Sequence, residues 1–283
     1  MPIKPSTRPE SYSQLVARSL KLYWQALPRT FFFAFLTAIV VFIPRLICVA
    51  VGQNVFLKAT GSKQILVLYL AIYVSVLWFA AAIIWCINCI ERNKHKNFIT
   101  DIEMAGKRII YVLGAAVCLF IIASLIGGLG YFLHCLLWHL KLYSLHNDLT
   151  VLLFFLVLLL QLGASIFVST LFYFYFPLIV IEHDGIATAL KQSALLVWHK
   201  VWMTLGVQLT PWLAYLVTLI AVKMIFKLNI IIYFMPINPV ANFYPVLLHI
   251  GILALFIPWA SSIMLVQLRD LELRKAAASR KKK

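Results

Sequence analysis

The chain has 283 residues, of which 63% are hydrophobic and only 12% are charged. A soluble domain has about 45–50% apolar and about 25% charged residues, so this composition excludes a soluble globular, a disordered or a fibrous protein. It predicts a polytopic membrane protein. The 25 Lys and Arg residues against 9 Asp and Glu give a formal net charge of +16. In a membrane protein the positions of the excess basic residues indicate the orientation of the chain in the membrane.

Six segments are long and apolar enough to cross a bilayer, which requires roughly 20 mainly apolar residues. They are Thr30–Val51, Ile65–Ile90, Ile109–Leu133, Leu149–Ile181, Val201–Val222 and Pro245–Val266. The apolar runs are continuous rather than alternating, which favours helices over a β-barrel. A shorter apolar stretch, Met224–Met235, is predicted to lie at the interface or in a loop. The predicted fold is therefore all-α, a six-helix transmembrane bundle.

Basic residues are distributed unevenly between the two sides of this predicted bundle. The segments on the side of both termini contain 19 of the 25 Lys and Arg residues, and the opposite loops contain 6. Because basic residues are retained in the cytoplasm during insertion, both termini are predicted to be cytoplasmic. Residues 1–10 are predicted to be a disordered leader without a signal peptide. The membrane domain then covers 11–268, and 269–283 form a basic cytoplasmic tail that contacts anionic lipid headgroups.

The same short motif occurs before the first and the fifth predicted span. Trp24 follows Ser19 by five residues, and Trp198 follows Ser193 by the same distance. The midpoint between the two serines is Gly106, which lies ahead of the third span. This equal spacing predicts three repeats of a two-span unit, at 11–97, 98–184 and 185–268. The alternative is that any six-span chain has loops at these three places and that the spacing is a coincidence.

Short amphipathic helices are predicted on the cytoplasmic side ahead of spans 1, 3 and 5. Apolar residues recur at helical spacing before span 1, at Val16, Leu20, Tyr23 and Leu27. Such a helix can lie in the headgroup region and then turn into the bilayer. Trp24 and Trp198 are predicted to anchor this turn at the interface. The small residues Ser19 and Ser193 are predicted to allow close backbone approach.

The segment from Phe176 to Trp198 carries a family resemblance. It has a proline that leaves the span, an acidic residue and a glycine at a turn, and small, hydroxyl and aromatic residues along a helix, at Pro177, Glu182, Gly185, Ala189, Ser193 and Trp198. This pattern resembles the YciC-like bacterial inner-membrane proteins, which are related to the membrane domain of some glycerophosphodiester phosphodiesterases. The resemblance implies a location in the bacterial inner membrane and a six-span fold, rather than an activity. The chain has no room for the soluble phosphodiesterase domain.

Polar residues inside the predicted spans are few. Spans two to five contain no ionisable side chain well inside their limits, which disfavours a proton- or ion-coupled pump. Arg45 and His249 lie near the outer ends of spans one and six, and Arg45 is expected to extend its guanidinium toward the interface. Gln161 and Gln208 are the best mid-membrane polar candidates. Residues of this kind can line a substrate path, but they more often form hydrogen bonds between helices.

Two residue pairs have metal-compatible spacing. Cys135 and His139 share one helix face and can bind zinc or copper. Among acidic or cysteine residues only Asp148 is close to them in sequence, and the alternative is a pair of polar residues at the interface. Cys86 and Cys89 have the spacing of a redox or metal motif, but buried thiols packed as small apolar groups are the favoured interpretation.

The sequence contains no nucleophile elbow, phosphate-binding loop or zinc-protease motif. We therefore expect no enzyme activity, no cofactor, no catalytic residue and no nucleic-acid partner. The expected partners are membrane lipids, with anionic headgroups at the basic face, and a second membrane protein. The predicted function is to organise lipid or to support envelope assembly. The alternative is a transporter or a lipid-handling channel built from two-span repeats.

Overall fold

The computed structural model describes residues 8–51, 62–94, 97–139, 147–227 and 243–280. These residues form helices and connecting turns, with no strand among them. The helices in chain order are α1 (Tyr12–Val51), α2 (Ser62–Glu91), α3 (Phe98–His139), α4 (Asn147–Leu171), α5 (Tyr175–Ile181), α6 (Ile186–Val197), α7 (Val201–Phe226) and α8 (Phe243–Arg280). The all-α prediction is confirmed. Residues 1–7, most of the predicted interfacial stretch (228–235) and 281–283 lie outside the described residues.

Six helical segments are long and apolar enough to cross a membrane, as predicted: α1, α2, α3, the α4–α5 segment, α7 and α8. Their limits differ from the predicted ones. The 40 residues of α1 extend about 60 Å at 1.5 Å per residue, whereas a bilayer core is about 30 Å thick. The segments ahead of spans 1 and 3 are therefore continuous with their spans, and α6 alone is a separate short helix ahead of a span within the described chain.

Helices α1 and α8 form the central pair of the bundle, with α2 and α7 packed beside them. Small side chains such as Ala34 and Ala38 are fully buried on α1 and bring the backbones close together. One apolar core surrounds Phe33 and Ile263, and a second surrounds Phe42 and Ile250.

Helix α4 lies at the periphery. Almost none of its surface is buried inside the protein, and it packs mainly on α3. Gln161 lies over Gly130 of α3, where an added Cβ would come within 2.5 Å of the Gln161 Oε1 atom. This close approach joins α3 and α4 as a hairpin. Helix α4 also contacts α6 and α7.

Candidate functional site

A cavity of about 600 Å³ lies between the helices of the membrane domain. Residues from α2, α3, α4, α5, α7 and α8 and from the α4–α5 connection line it. Ligand sites in proteins typically occupy about 300–1,000 Å³ and are lined mainly by apolar side chains with a few polar groups. The cavity has this size and this composition, so it is the candidate functional site.

The described residues that line the cavity include several with hydroxyl groups and none with a charged side chain. Tyr73, Tyr173 and Tyr175 contribute three phenols, and Ser165, Ser169 and Ser261 contribute aliphatic hydroxyls. The serine hydroxyls donate to carbonyls of their own helices, at 2.8 Å for Ser165, 2.7 Å for Ser169 and 3.1 Å for Ser261. The phenols are therefore the principal polar groups that the cavity presents to a ligand.

A break in the fourth span borders this cavity. The sequence predicts one continuous helix from Leu149 to Ile181, but the helix stops at Leu171 and resumes at Tyr175. Pro177 has no N–H, so the carbonyl four residues earlier loses its usual helical donor. Irregular backbone inside a membrane occurs where it is buried in protein or lines a cavity, and Phe172 and Tyr173 do line the cavity.

Ser193 of α6 bridges this break. The backbone N–H of Phe174 donates to Ser193 Oγ at 3.1 Å, and the Ser193 hydroxyl donates to the Leu171 carbonyl at 2.8 Å. All three residues are buried. The side chain thus satisfies two backbone groups that the broken helix leaves without helical partners. The structure assigns Ser193 a hydrogen-bonding function in addition to the close packing expected of a small residue.

The cavity is open to the outer surface of the helix bundle. Phe120 and Tyr73, both part of its lining, are 73% and 47% exposed. They belong to α3 and α2, two of the helices that are long and apolar enough to span a membrane. The surface around the opening is therefore mainly apolar.

Ion pairs between helices gather at one end of the bundle, which we call the charged end. Arg18 of α1 lies between Glu10 and Glu91, at 3.0 and 3.3 Å. Arg269 of α8 lies between Glu182 and Glu272, at 3.0 and 2.9 Å. Arg269 also interacts electrostatically with Glu91. These contacts join the ends of α2, α5 and α8 to the first turns of α1.

The chain segment before α1 is held by α8. The Glu10 N–H donates to Asp270 Oδ1 at 2.7 Å, and Arg274 Nη2 donates to the Glu10 carbonyl at 2.5 Å. Arg274 Nε also contacts Asp270 at 2.6 Å. Residues 269–280, which the sequence assigns to a tail, belong to α8, and Asp270 and Leu271 are buried. The two ends of the described chain are therefore adjacent.

A separate ion pair lies deeper, between α1 and α3. Arg29 Nη2 is 2.5 Å from Asp101 Oδ2, and the Asp101 side chain is fully buried. Asp101 also forms a side-chain hydrogen bond with Cys86 of α2. Cys86 and Cys89 are both buried. The three helices thus meet around a buried carboxylate.

The turn that joins α5 and α6 has two perturbed ionisable groups. His183 adopts a left-handed backbone, with φ at 62°, and lies 6.2 Å from the ring of Trp85. Burial, with an added contribution from the nearby Arg108 cation, lowers the pKa of His183 below its usual value. Burial, with an added contribution from Glu182, raises the pKa of Asp184. Both shifts favour the neutral forms, as expected beside apolar helix ends.

The predicted anchor residues occupy two different environments. Trp24 and Trp198 are 66% and 58% exposed, so both rings lie on the outer surface of the bundle. Ser19 and Ser193 are fully buried. Trp259 Nε1 of α8 donates to Ser19 Oγ at 3.2 Å. The small residues therefore face inward, and the two tryptophans face outward.

The other predicted candidates do not form a site together. Gln161 and Gln208 are half-buried, and neither lines the cavity. Cys135 is half-buried and forms a side-chain hydrogen bond with Tyr131, while His139 is exposed. Within the described ranges, no three His, Cys, Asp or Glu side chains come together in an arrangement that could hold a metal ion.

Two features are not evident from the sequence. The cavity phenols come from separate helices, and no motif links them. Arg45, expected to extend toward the interface, is instead buried, as are His249 and Tyr215. The hydroxyl of Tyr215 is 2.5 Å from His249 Nε2, and the Arg45 guanidinium lies over the ring of Phe42. Burial of Arg45 corrects the expectation, because packing between α1 and α8 encloses its side chain.

The six apolar helices define a multi-pass α-helical membrane protein. Comparisons with models of known families, with curated proteins and with solved structures found no match to this chain.

Proposed function

We propose that this protein is a non-enzymatic membrane protein that organises lipid, and that its intramembrane cavity binds lipid chains. The observation that carries the proposal is the 600 Å³ cavity, which opens on the apolar surface of the bundle and has no charged side chain among the described residues of its lining. Apolar walls favour hydrocarbon chains over ions or hydrophilic solutes. The protein requires no cofactor for this role. Nucleic acid is not among its proposed partners, whereas a second membrane protein is.

The test is to fill the cavity. Ala123 and Ala260 line it from α3 and α8, so Ala123→Phe and Ala260→Phe place rings in the space that a chain would occupy. Each variant is expected to weaken binding of a diacyl lipid by about tenfold or more, which corresponds to about 1.4 kcal/mol. Native mass spectrometry of the delipidated protein, titrated with dioleoylglycerol, measures this change.

The matched control is Ala164→Phe, on the exposed surface of α4 and outside the cavity. This variant should bind lipid like the original protein. Equal binding by the control and by both cavity variants would contradict the proposal.

A lipid-handling channel or transporter is the second candidate, and the α4–α5 break favours it. Discontinuous helices beside a cavity are a recurring feature of transporters. Reconstitution into vesicles separates the two functions. Movement of a labelled lipid between leaflets, lost in Ala260→Phe, would favour a channel, whereas binding without movement would favour an organising function.

We propose that the protein lies in a bacterial inner membrane with both termini in the cytoplasm. The uneven distribution of basic residues supports this orientation, and the charged end then faces anionic headgroups on the cytoplasmic side. Alkaline phosphatase fused after Lys283 should be inactive, and a fusion after Gly61 should be active. The opposite result would reverse the orientation.

A threefold repeat, as in the proposed relationship to YciC-like proteins, is supported by a pattern of contacts. Ser19 Oγ accepts a hydrogen bond from the Trp259 indole of α8, and Ser193 Oγ accepts one from the backbone N–H of Phe174, which follows α4. Trp78 of α2 lies 3.9 Å from the position of a Cβ on Gly106. In each case the second span of one unit contacts the small residue of the next unit, and the third unit contacts the first. The exposed tryptophans beside two of these positions suit amphipathic interface helices.

A further inference from the structure

The cavity has polar groups on one part of its wall, and their chemistry limits what can occupy it. We infer that the cavity selects lipids whose polar part is an uncharged carbonyl group, and that Tyr73, Tyr173 and Tyr175 donate hydrogen bonds to it. This inference rests on the proposed lipid-binding function and names its ligand class.

The phenols come from two separate parts of the chain. Tyr173 and Tyr175 flank the end of the α4–α5 break, and Tyr73 is on α2. Tyr73 and Tyr175 are close enough to interact electrostatically. Their hydroxyls form no hydrogen bond with any described residue. A phenol in an apolar setting usually finds a partner, so a ligand acceptor is the group that these hydroxyls suit.

The absence of charge among the lining residues excludes an ionic headgroup inside the cavity. A phosphate there would be removed from water without a cation to compensate it, which is strongly unfavourable. None of the guanidinium groups described above belongs to a residue that lines the cavity. An ester or ketone carbonyl, in contrast, requires only hydrogen-bond donors.

The backbone of the α4–α5 break explains why the ligand carbonyl would bind at this part of the cavity. Ser193 forms hydrogen bonds with the N–H of Phe174 and the carbonyl of Leu171. These bonds give the break a defined backbone conformation. The side chains of Tyr173 and Tyr175 are therefore presented from a defined backbone. Preorganised donors of this kind favour an acceptor at one position in the cavity.

Two natural sources offer this chemistry, the ester carbonyls of diacylglycerol and the ring carbonyls of a prenylquinone. The experiment uses the purified full chain and native mass spectrometry. It compares dioleoylglycerol, a prenylquinone and dioleoyl phosphatidic acid, which has the chains of dioleoylglycerol and a charged headgroup. Dioleoylglycerol, the prenylquinone or both should bind about tenfold or more tightly than phosphatidic acid.

The variant for this test is the double substitution Tyr173→Phe and Tyr175→Phe, which removes two hydroxyls and keeps both rings. It should lower the affinity for the preferred lipid about tenfold, because two donors are lost, and leave phosphatidic acid unchanged. Tyr244→Phe is the control, since Tyr244 is exposed on α8 and outside the cavity. Circular dichroism confirms that each variant folds.

The outcomes distinguish this inference from the function on which it rests. Preference for an uncharged lipid that the double variant abolishes supports both. Equal binding of all three lipids, unaffected by the double variant but reduced by Ala260→Phe, would overturn the inference and retain the lipid cavity. Binding that neither variant changes would overturn both.

Discussion

Asp101→Ala is expected to lower the free energy of unfolding by about 3 kcal/mol or more, since breaking a buried pair leaves one charge without compensation. Asp101 is fully buried and Arg29 lies 2.5 Å from it. The substitution leaves the guanidinium of Arg29 at the junction of α1 and α3 without a carboxylate. Denaturant unfolding of the protein in mixed detergent micelles measures the change.

The chain offers a matched control for this substitution on the same helix. Glu103 and Lys107 form an ion pair at 2.6 Å, but their side chains are 57% and 62% exposed. An exposed pair contributes about 0–1 kcal/mol, so Glu103→Ala should change stability little. Equal effects of Asp101→Ala and Glu103→Ala would show that the buried pair does not stabilise the fold.

The double replacement Arg29→Met with Asp101→Leu tests the cause. Apolar residues of similar volume remove both charges, and buried ion pairs replaced in this way often lose little stability. The double variant should therefore be more stable than Asp101→Ala. If it were less stable, the loss of stability in Asp101→Ala would be explained by the hydrogen bond to Cys86 or by the shape of the site, rather than by the uncompensated charge of Arg29.

The number and order of the spans could be predicted because the signal for each one is local. The free energy of transferring an apolar run such as Val201–Val222 into a bilayer depends on the residues of that run and not on the neighbouring spans. The ends of the helices could not be predicted in the same way. The ion pairs Arg18–Glu91 and Arg269–Glu182 join helical turns beyond the apolar runs, and the partners in these two pairs are 73 and 87 residues apart in sequence.

The candidate site could not be predicted for a related reason. Hydropathy treats Leu149–Ile181 as a single apolar run, and a proline such as Pro177 is tolerated in many membrane helices. The break at Phe172–Phe174 depends on a hydroxyl from α6, which no local pattern reports. The cavity depends further on side chains from α2, α3, α7 and α8, which are distant from α4 in sequence. The repeat pattern includes Ser193, but it predicts close packing for this residue and not the hydrogen bonds to Phe174 and Leu171.

Ser193→Ala is the most direct test of this break. The substitution leaves the Phe174 N–H and the Leu171 carbonyl buried without their shared partner. Each unsatisfied buried group costs about 1–3 kcal/mol, so the variant is expected to lose about 2 kcal/mol or more in free energy of unfolding. Because only one oxygen is removed, the change in volume is small and contributes little to the effect.

The control for Ser193→Ala is Ser75→Ala. The Ser75 hydroxyl also donates to a backbone carbonyl, that of Ala71 at 2.8 Å, but it lies at an exposed position within an unbroken helix. Its loss leaves no backbone group without its helical partner, so stability should change by less than about 0.5 kcal/mol. Unfolding in the same micelles compares the two variants, and equal losses would mean that Ser193 is an ordinary helix-facing hydroxyl. A specific loss in Ser193→Ala, accompanied by weaker binding of uncharged lipid, would connect the broken helix to the cavity, because the same backbone positions Tyr173 and Tyr175.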